Sequence, residues 1–321
     1  MTEKEITCWL LSGDPSVQYQ VWRDLLNSEK PELRRKIASE GWGAIFLKER
    51  QDSGHWGRGF YQPKWTSTHY TLLDLKNLGI RPEIQEIHQT LQMIFGSAKG
   101  PDGGINPSGT IKQSDVCING MVLNYVAYFN IPQEYLISVV DFLLGQLMPD
   151  GGFNCRSNRT GAHHSSLHTT LSVLEGILEY QRNGYRYRVD ELMKARQTAE
   201  EFILIHRLFR SDHTGRIIHP DFLKLHHPTR WQYDLLKALD YFQSAKSAYD
   251  PRMREALQIL DKKKNKSGLW SASRHPGKTH FNMEATRTPS RWNTLRALRV
   301  LKRYGNEAEV GGCSGTCWSE R

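Results

Sequence analysis

The chain has 321 residues, a length that allows one large domain or two small ones. Hydrophobic residues make up 38% and charged residues 24%, as is typical of a globular protein in water, and no segment reaches the ~20 apolar residues of a membrane span. The net charge of +9 favours anionic partners without indicating a fold.

The N-terminal segment MTEKEITCWLL has mixed charges and lacks the basic start and long apolar stretch of a signal peptide, so we expect a cytoplasmic protein. The lone dense basic run, KKKNK at 262–266, fits a solvated helix C-terminus, and we expect no nucleic-acid partner. The cysteines are odd in number and scattered, which is not the pattern of a disulfide framework; they are Cys8, Cys117, Cys155, Cys313 and Cys317.

A turn rich in Asp, Asn and Gly recurs along the chain, and a run of helical period precedes and follows each copy. The turns are QDSGHWG (51–57), PDGGIN (101–106), PDGGFN (149–154), SDHTGRI (211–217) and NKSGLW (265–270). The preceding runs are 3–11, 32–50, 82–96, 132–148, 190–210 and 250–264. The following runs resemble one another and are 15–26, 68–79, 118–129, 167–180, 230–242 and 291–305. Asp14, Ser114 and Asp250 are candidate N-caps of these helices.

A pair of helices cannot bury its apolar face alone, whereas a stack of such pairs can close into a ring. The repeat therefore predicts an all-α fold, an α/α toroid of about six helical hairpins with inner and outer rings of helices. The second helix of each pair is expected to line the centre, with the Gly-rich turns together at one end. Because no linker interrupts the series, we predict one domain over 1–305, followed by a tail over 306–321.

The paired helices, the DGGF-like turns, the aromatic-rich inner helices and the tryptophans beside the turns, Trp56 and Trp270, resemble the terpenoid cyclase and protein prenyltransferase superfamily. The closest likeness is to small single-domain bacterial squalene-cyclase-like (prenyltransferase-like) proteins, whose activity is generally unassigned. The resemblance implies an isoprenoid diphosphate, or another anionic or lipidic small molecule, in the central cavity. The sequence lacks the DxDD and DDxxD motifs of terpene cyclisation, so carbocation cyclisation is not expected.

The resemblance further implies a zinc site with catalytic and metal-binding roles for Asp115, Cys117 and His168. Carboxylate, thiolate and imidazole are the ligand types that zinc takes in proteins, and three of them leave a fourth position open. His163 and His164 compete with His168 for this role, and Cys155 is a candidate fourth ligand. Without a metal, Cys117 would be a packed small residue, Asp115 an N-cap and His168 a hydrogen-bonded side chain.

Basic and aromatic side chains near the inner-helix starts are the candidate ligands of the diphosphate and its hydrocarbon chain. They are Lys112, Arg156, His163, His164, Arg230, Trp231, Tyr233, Arg291 and Trp292. Further aromatic residues on or near these helices, which line the cavity or pack in the core, are Trp65, Tyr70, Tyr125 and Tyr128. Transfer of a prenyl group to a protein would need a separate partner subunit, and a protein partner stays open.

Two alternative functions use the same ring. In the first, the toroid is a non-catalytic lipid-binding protein with a structural metal or none. In the second, it is a carbohydrate-active α/α toroid enzyme with two carboxylates at the cavity mouth, for which Asp115 and Glu284 are the candidates. A separation of about 5–10 Å between two such carboxylates in a cleft would favour glycoside hydrolysis.

Overall fold

Pairs of helices follow one another along the chain in the computed structural model, which describes residues 1–108, 110–156, 160–274 and 277–309. The helices are α1 (Glu3–Leu11), α2 (Pro15–Gln20), α3 (Pro31–Lys36), α4 (Gly41–Lys48), α5 (Thr68–Leu78), α6 (Gln85–Ser97), α7 (Val116–Tyr128), α8 (Ile137–Leu144), α9 (Leu167–Arg182), α10 (Val189–Ile205), α11 (Leu235–Ser244), α12 (Arg254–Lys262) and α13 (Arg291–Glu309). A π-helical turn over Val21–Leu25 extends α2. Two short strands, β1 (His226–His227) and β2 (Ser273–Arg274), pair in parallel.

Six of these helices form an inner ring, because residues of α2, α5, α7, α9, α11 and α13 line one central cavity. The other helices of each pair lie outside this ring. Contacts between the last and the first inner segments close the ring: Arg299 on α13 pairs with Asp24 at 3.0 Å, and Lys302 donates to the Asp24 carbonyl at 3.0 Å. The all-α fold class and the predicted α/α toroid are therefore confirmed.

A repeated hydrogen-bond pair joins the turns to the inner helices. The backbone N–H of Trp56 donates to the Thr68 hydroxyl at 3.0 Å, and that hydroxyl donates back to the Trp56 carbonyl at 3.2 Å. Equivalent reciprocal pairs join Ile105 to Asn119, Phe153 to Thr170 and Trp270 to Thr294. Each pair satisfies a buried backbone donor and acceptor where the chain leaves a turn, which fixes the turn on its own inner helix.

The two turn tryptophans have the same structural role. The indole N–H of Trp56 donates to the Phe46 carbonyl at the end of α4, and that of Trp270 donates to the Leu260 carbonyl at the end of α12. Both side chains are buried, and both satisfy a carbonyl in the last turn of an outer helix. The tryptophans that suggested the terpenoid family are thus part of the fold of the repeat.

Several predicted boundaries differ from the structure. Helix α11 begins at Leu235 instead of 230, because the Asp234 carboxylate accepts the Lys237 N–H at 2.8 Å and caps the helix there. Asp14 and Asp250 act as predicted N-caps, whereas Ser114 binds the Asp102 carboxylate and leaves the cap position to Asp115.

The predicted tail boundary at 305 falls inside α13, and the rest of that tail, with Cys313 and Cys317, lies outside the described residues. The described cysteines, Cys8, Cys117 and Cys155, are free thiols. Over the described ranges, none of the helices combines the length and hydrophobicity that crossing a membrane requires.

Candidate functional site

The residues predicted to bind zinc do not form a metal site in the structure. His168 directs Nδ1 to the backbone N–H of Tyr233, which donates to it at 2.8 Å, and its ring packs against Phe222 and Trp231. Burial, followed by the charge of Lys237, lowers the pKa of His168 to about 4. Cys117 donates its backbone N–H to the Cys155 sulfur at 3.0 Å.

No group of three His, Cys, Asp or Glu residues in the described part of the chain is arranged to hold a metal ion, so the set of Asp115, Cys117 and His168 does not fit zinc. The competing histidines, His163 and His164, are exposed. Zinc binding stays a prediction that this geometry does not support.

Most of the predicted anion ligands also lie away from the centre. Lys112, Arg156, His163 and His164 are exposed in the connections before α7 and α9. Arg291 is held by α1, because its Nε donates to the Trp9 carbonyl at 3.0 Å. Of the nine predicted ligand residues, only Arg230 and Trp292 line the central cavity.

The predicted aromatic funnel is mainly core packing. Tyr70, Tyr125 and Tyr233 are buried, and Trp65 stacks on Tyr70 with ring centroids 5.5 Å apart. Trp231 packs on His168. Of the aromatic residues predicted to line the cavity, only Tyr128 and Trp292 do so.

The two carboxylates considered for glycoside hydrolysis are also absent from the cavity lining among the described residues. Glu284 accepts the Ser290 hydroxyl and the backbone N–H groups of Arg291 and Trp292, at 2.7 and 3.3 Å. Burial raises the pKa of Glu284. Since Asp115 is the N-cap residue of α7, both carboxylates lie at the start of an inner helix.

The central cavity itself has a volume of about 760 Å³ and a strongly polar lining. Ten lining residues are lysine or arginine and four are aspartate or glutamate, whereas only Leu73 and Leu178 are aliphatic. The basic residues are Arg23, Lys76, Arg182, Arg230, Lys237, Lys246, Arg296, Arg299, Lys302 and Arg303, and the acidic residues are Asp24, Glu175, Glu179 and Asp240.

Each of the four cavity carboxylates contacts a cation. Lys237 lies 3.3 Å from Glu175 and also donates to the Arg230 carbonyl at 2.7 Å. The other three contacts have the same character: Lys76 with Glu179 at 3.1 Å, Arg296 with Asp240 at 2.9 Å and Arg299 with Asp24 at 3.0 Å. The cavity wall is therefore a network of charges with an excess of cations.

Some cations also stabilise the ends of the inner helices. Lys302 donates to the Leu25 carbonyl at 2.9 Å, Arg303 donates to the Lys246 carbonyl at 2.6 Å, and Arg182 donates to the Ser244 carbonyl. Cations are favourable there, because the last carbonyls of a helix lack backbone partners and carry partial negative charge. Part of the excess positive charge is thus built into the ring at the C-terminal ends of its helices.

Buried polar atoms in the cavity wall lack a hydrogen-bond partner. They are Oδ1 of Asn124 and Nε of Arg230. Arg230 is only 2% exposed, and its Nη2 lies 3.3 Å from the Asp74 carboxylate. Burial raises the pKa of Asp74, although Arg230 opposes this effect. An unpaired buried polar atom costs free energy until it gains a partner, and both atoms belong to side chains that line the cavity.

The charges of the cavity wall follow a helical spacing in the sequence, outside the motifs that predicted zinc and diphosphate binding. Helix α9 carries Glu175, Glu179 and Arg182 on one face, and α13 carries Arg296, Arg299 and Arg303 at the same kind of spacing. Charged residues three and four positions apart lie on one side of a helix. On helices predicted to be inner, such a charged face indicates a polar cavity.

A solved structure of another protein shares this fold. No protein-family model matches the chain, and no curated protein matches it either. Among solved structures, the chain is similar to a polysaccharide lyase with 12% sequence identity and a TM-score of 0.52, covering 94% of this chain and 90% of that one. It is also similar to a glycosyl hydrolase family 88 protein from Bacteroides vulgatus with 12% identity and a TM-score of 0.45, covering 73% and 71%.

The solved structure that matches over 94% of this chain is a polysaccharide lyase, which overturns the resemblance to terpenoid cyclases, squalene cyclases and prenyltransferases. The physical reason lies in the repeat. Turns before inner helices and tryptophans on outer-helix ends are requirements of ring packing here, as the contacts of Trp56 and Trp270 show. Such features identify an α/α toroid without distinguishing its chemistry.

Proposed function

We propose that this chain is a carbohydrate-active toroid whose central cavity binds an acidic carbohydrate. The observation that carries the proposal is the cavity lining, with ten lysines and arginines against four carboxylates in about 760 Å³. That volume is within the range of about 300–1,000 Å³ in which small-molecule sites fall. Cations surrounding a recessed site attract anions, and arginine forks match carboxylate oxygens.

The carbohydrate part of the proposal draws on the neighbours, whose names indicate a polysaccharide lyase and a glycosyl hydrolase. This is an analogy at the level of fold. The polar wall supports it, because hydroxyl-rich ligands need hydrogen-bonding groups and an isoprenoid needs apolar surface. With Leu73 and Leu178 as the only aliphatic lining residues found within the described ranges, the wall suits a sugar better than a lipid.

Hydrolysis by a carboxylate pair is the less favoured chemistry. Such a mechanism uses one protonated and one ionised carboxyl group on opposite sides of the scissile bond. Here Lys76 contributes to a lowered pKa of Glu179, and Arg299 and Arg296 to that of Asp240, although burial alone would raise both values. We therefore assign binding to the cavity and no bond-breaking step to these carboxylates.

Titration calorimetry with a short oligogalacturonate, a sulfated oligosaccharide and a neutral oligosaccharide of equal length tests the proposal. We expect the acidic sugars to bind, the neutral one to bind at least about tenfold more weakly, and the difference to shrink at high salt. Mass spectrometry of the same mixtures would report any cleavage of the bound chain. Equal affinity for neutral and acidic sugars, or binding of none, would remove the basis of the proposal.

Two substitutions in one ion pair of the cavity wall, which change the net charge in opposite directions, test the proposal further. Glu175→Gln adds one net positive charge to the cavity wall, and Lys237→Gln removes one. We expect the first variant to bind the acidic sugar about tenfold more tightly and the second about tenfold more weakly. Lys4→Gln, on the exposed outer helix α1, is the matched control and should bind as the original chain does. Weaker binding by both cavity variants would show that the pair acts through structure and not through charge.

A further inference from the structure

Two cysteines from neighbouring repeats lie close together near the starts of the inner helices α7 and α9, outside the central cavity. Cys117 lies in the first turn of α7, and Cys155 directly follows the PDGGFN turn that leads to α9. The backbone N–H of Cys117 donates to the Cys155 sulfur at 3.0 Å, and the Thr169 hydroxyl lies 3.4 Å from the same sulfur. The Cys155 sulfur therefore lies against the backbone of Cys117.

This arrangement distinguishes the two sulfur atoms. The Cys155 sulfur accepts two hydrogen bonds, from the Cys117 N–H and from the Thr169 hydroxyl. It lies at the N-terminus of α7, where the backbone favours negative charge, so its surroundings favour the thiolate form.

We propose that Cys155 and Cys117 form an oxidisable dithiol, in which Cys155 reacts first with a peroxide and Cys117 then closes a disulfide between the two repeats. Both residues are partly exposed, which gives a small oxidant a route to the sulfur. Thiolate character and access are the two properties that make a cysteine sensitive to peroxide, and a neighbouring second thiol resolves the product.

The reaction balances with hydrogen peroxide as the oxidant. The Cys155 thiolate attacks one peroxide oxygen, the O–O bond breaks and Cys155 becomes a sulfenic acid. The departing hydroxide takes up the proton lost by Cys155 and becomes water. The Cys117 sulfur then attacks the Cys155 sulfur, the S–O bond breaks, and the leaving hydroxide takes up the Cys117 proton. Two thiols lose two electrons and two protons, and one hydrogen peroxide becomes two waters.

Peptide mapping of the native chain tests the disulfide without any substitution. Trypsin leaves both cysteines in the peptide 113–156, and a glutamate-specific protease then cuts that peptide at Glu134. After peroxide treatment, we expect the two halves to stay joined until a reductant is added. Halves that separate without reductant after peroxide treatment would overturn the proposal.

Trapping with dimedone, which labels sulfenic acids, tests the order of reaction. In Cys117→Ser the oxidised Cys155 has no resolving thiol, so we expect a dimedone adduct on Cys155 that forms at least about tenfold faster than any adduct on Cys8. In Cys155→Ser, Cys117 should give little adduct. Comparable labelling of Cys117 in Cys155→Ser and of Cys155 in Cys117→Ser would contradict the assigned order. The test concerns residues outside the cavity, so its outcome is independent of carbohydrate binding.

Discussion

Replacing Asp240 by asparagine is expected to lower the free energy of unfolding by about 3 kcal/mol, because the change breaks a buried ion pair from one side. Asp240 on α11 lies 2.9 Å from Arg296 and 3.7 Å from Arg299, both on α13. The two arginine side chains are 7% and 12% exposed, so water does little to screen their repulsion once the carboxylate is neutral. Urea denaturation of both chains measures the difference.

An exposed ion pair is the matched control for this variant. Arg252 lies 2.7 Å from Glu201, and these side chains are 34% and 52% exposed. Glu201→Gln is expected to change the free energy of unfolding by less than about 1 kcal/mol, as is usual for exposed pairs. Similar losses of unfolding free energy in the two variants would show that burial of the Asp240 ion pair does not increase its contribution to stability.

The loss of unfolding free energy in Asp240→Asn is expected to depend on pH in a definite direction. Burial alone would raise the pKa of Asp240, but Arg299 and Arg296 together outweigh burial and lower it. A carboxyl group with a lowered folded-state pKa contributes stability above its unfolded pKa of about 3.9 and loses this contribution as the pH falls through the folded value. The difference between the original chain and Asp240→Asn should therefore be full near neutral pH and shrink below about pH 4. A difference that grows on acidification would contradict this cause.

Gly176→Ala is expected to destabilise the chain by about 2 kcal/mol, although alanine is the better helix former. A Cβ atom at Gly176 on α9 would clash with the Gly120 carbonyl oxygen on α7, and a Cβ atom at Gly120 would meet the α9 backbone at 2.7 Å. The two glycines let α7 and α9 pack backbone to backbone, and an added methyl group has to force the helices apart.

Gly96→Ala is the control for the helix propensity of alanine. Gly96 lies within α6, and a Cβ atom there would meet nothing within 4 Å. Because only the propensity changes at this position, Gly96→Ala is expected to stabilise the chain by up to about 1 kcal/mol. Thermal or urea unfolding of both variants compares the two effects. A stabilising Gly176→Ala would show that α7 and α9 are not in backbone contact.

The fold could be predicted because its signals are local and repeated. Each turn lies beside the inner helix that it binds, so the partners Trp56 and Thr68, or Phe153 and Thr170, are close in sequence. The sequence predicts a start of α11 at 230, which is too early. Residues 230–234 have helical periodicity, but other contacts hold them outside the helix, among them the hydrogen bond from the Tyr233 N–H to His168. Asp234 then caps the helix, which begins at Leu235.

The site could not be predicted in the same way. Asp115 and Cys117 lie at a helix start as expected, but the direction of the His168 ring depends on the loop that brings Tyr233 and Trp231 against it. That contact joins residues more than 60 positions apart, and no local pattern encodes it. The cavity charges were visible as charged faces on α9 and α13, yet their pairing across the ring depends on which helices become neighbours when it closes.

A crystal structure of the chain with a short oligogalacturonate would test the proposed function by showing where the sugar binds. We expect the sugar in the central cavity, with at least one of its carboxylates in hydrogen-bond contact with Arg230, Arg296 or Arg299. An oligogalacturonate bound at another surface while the cavity holds only water would contradict the proposed function.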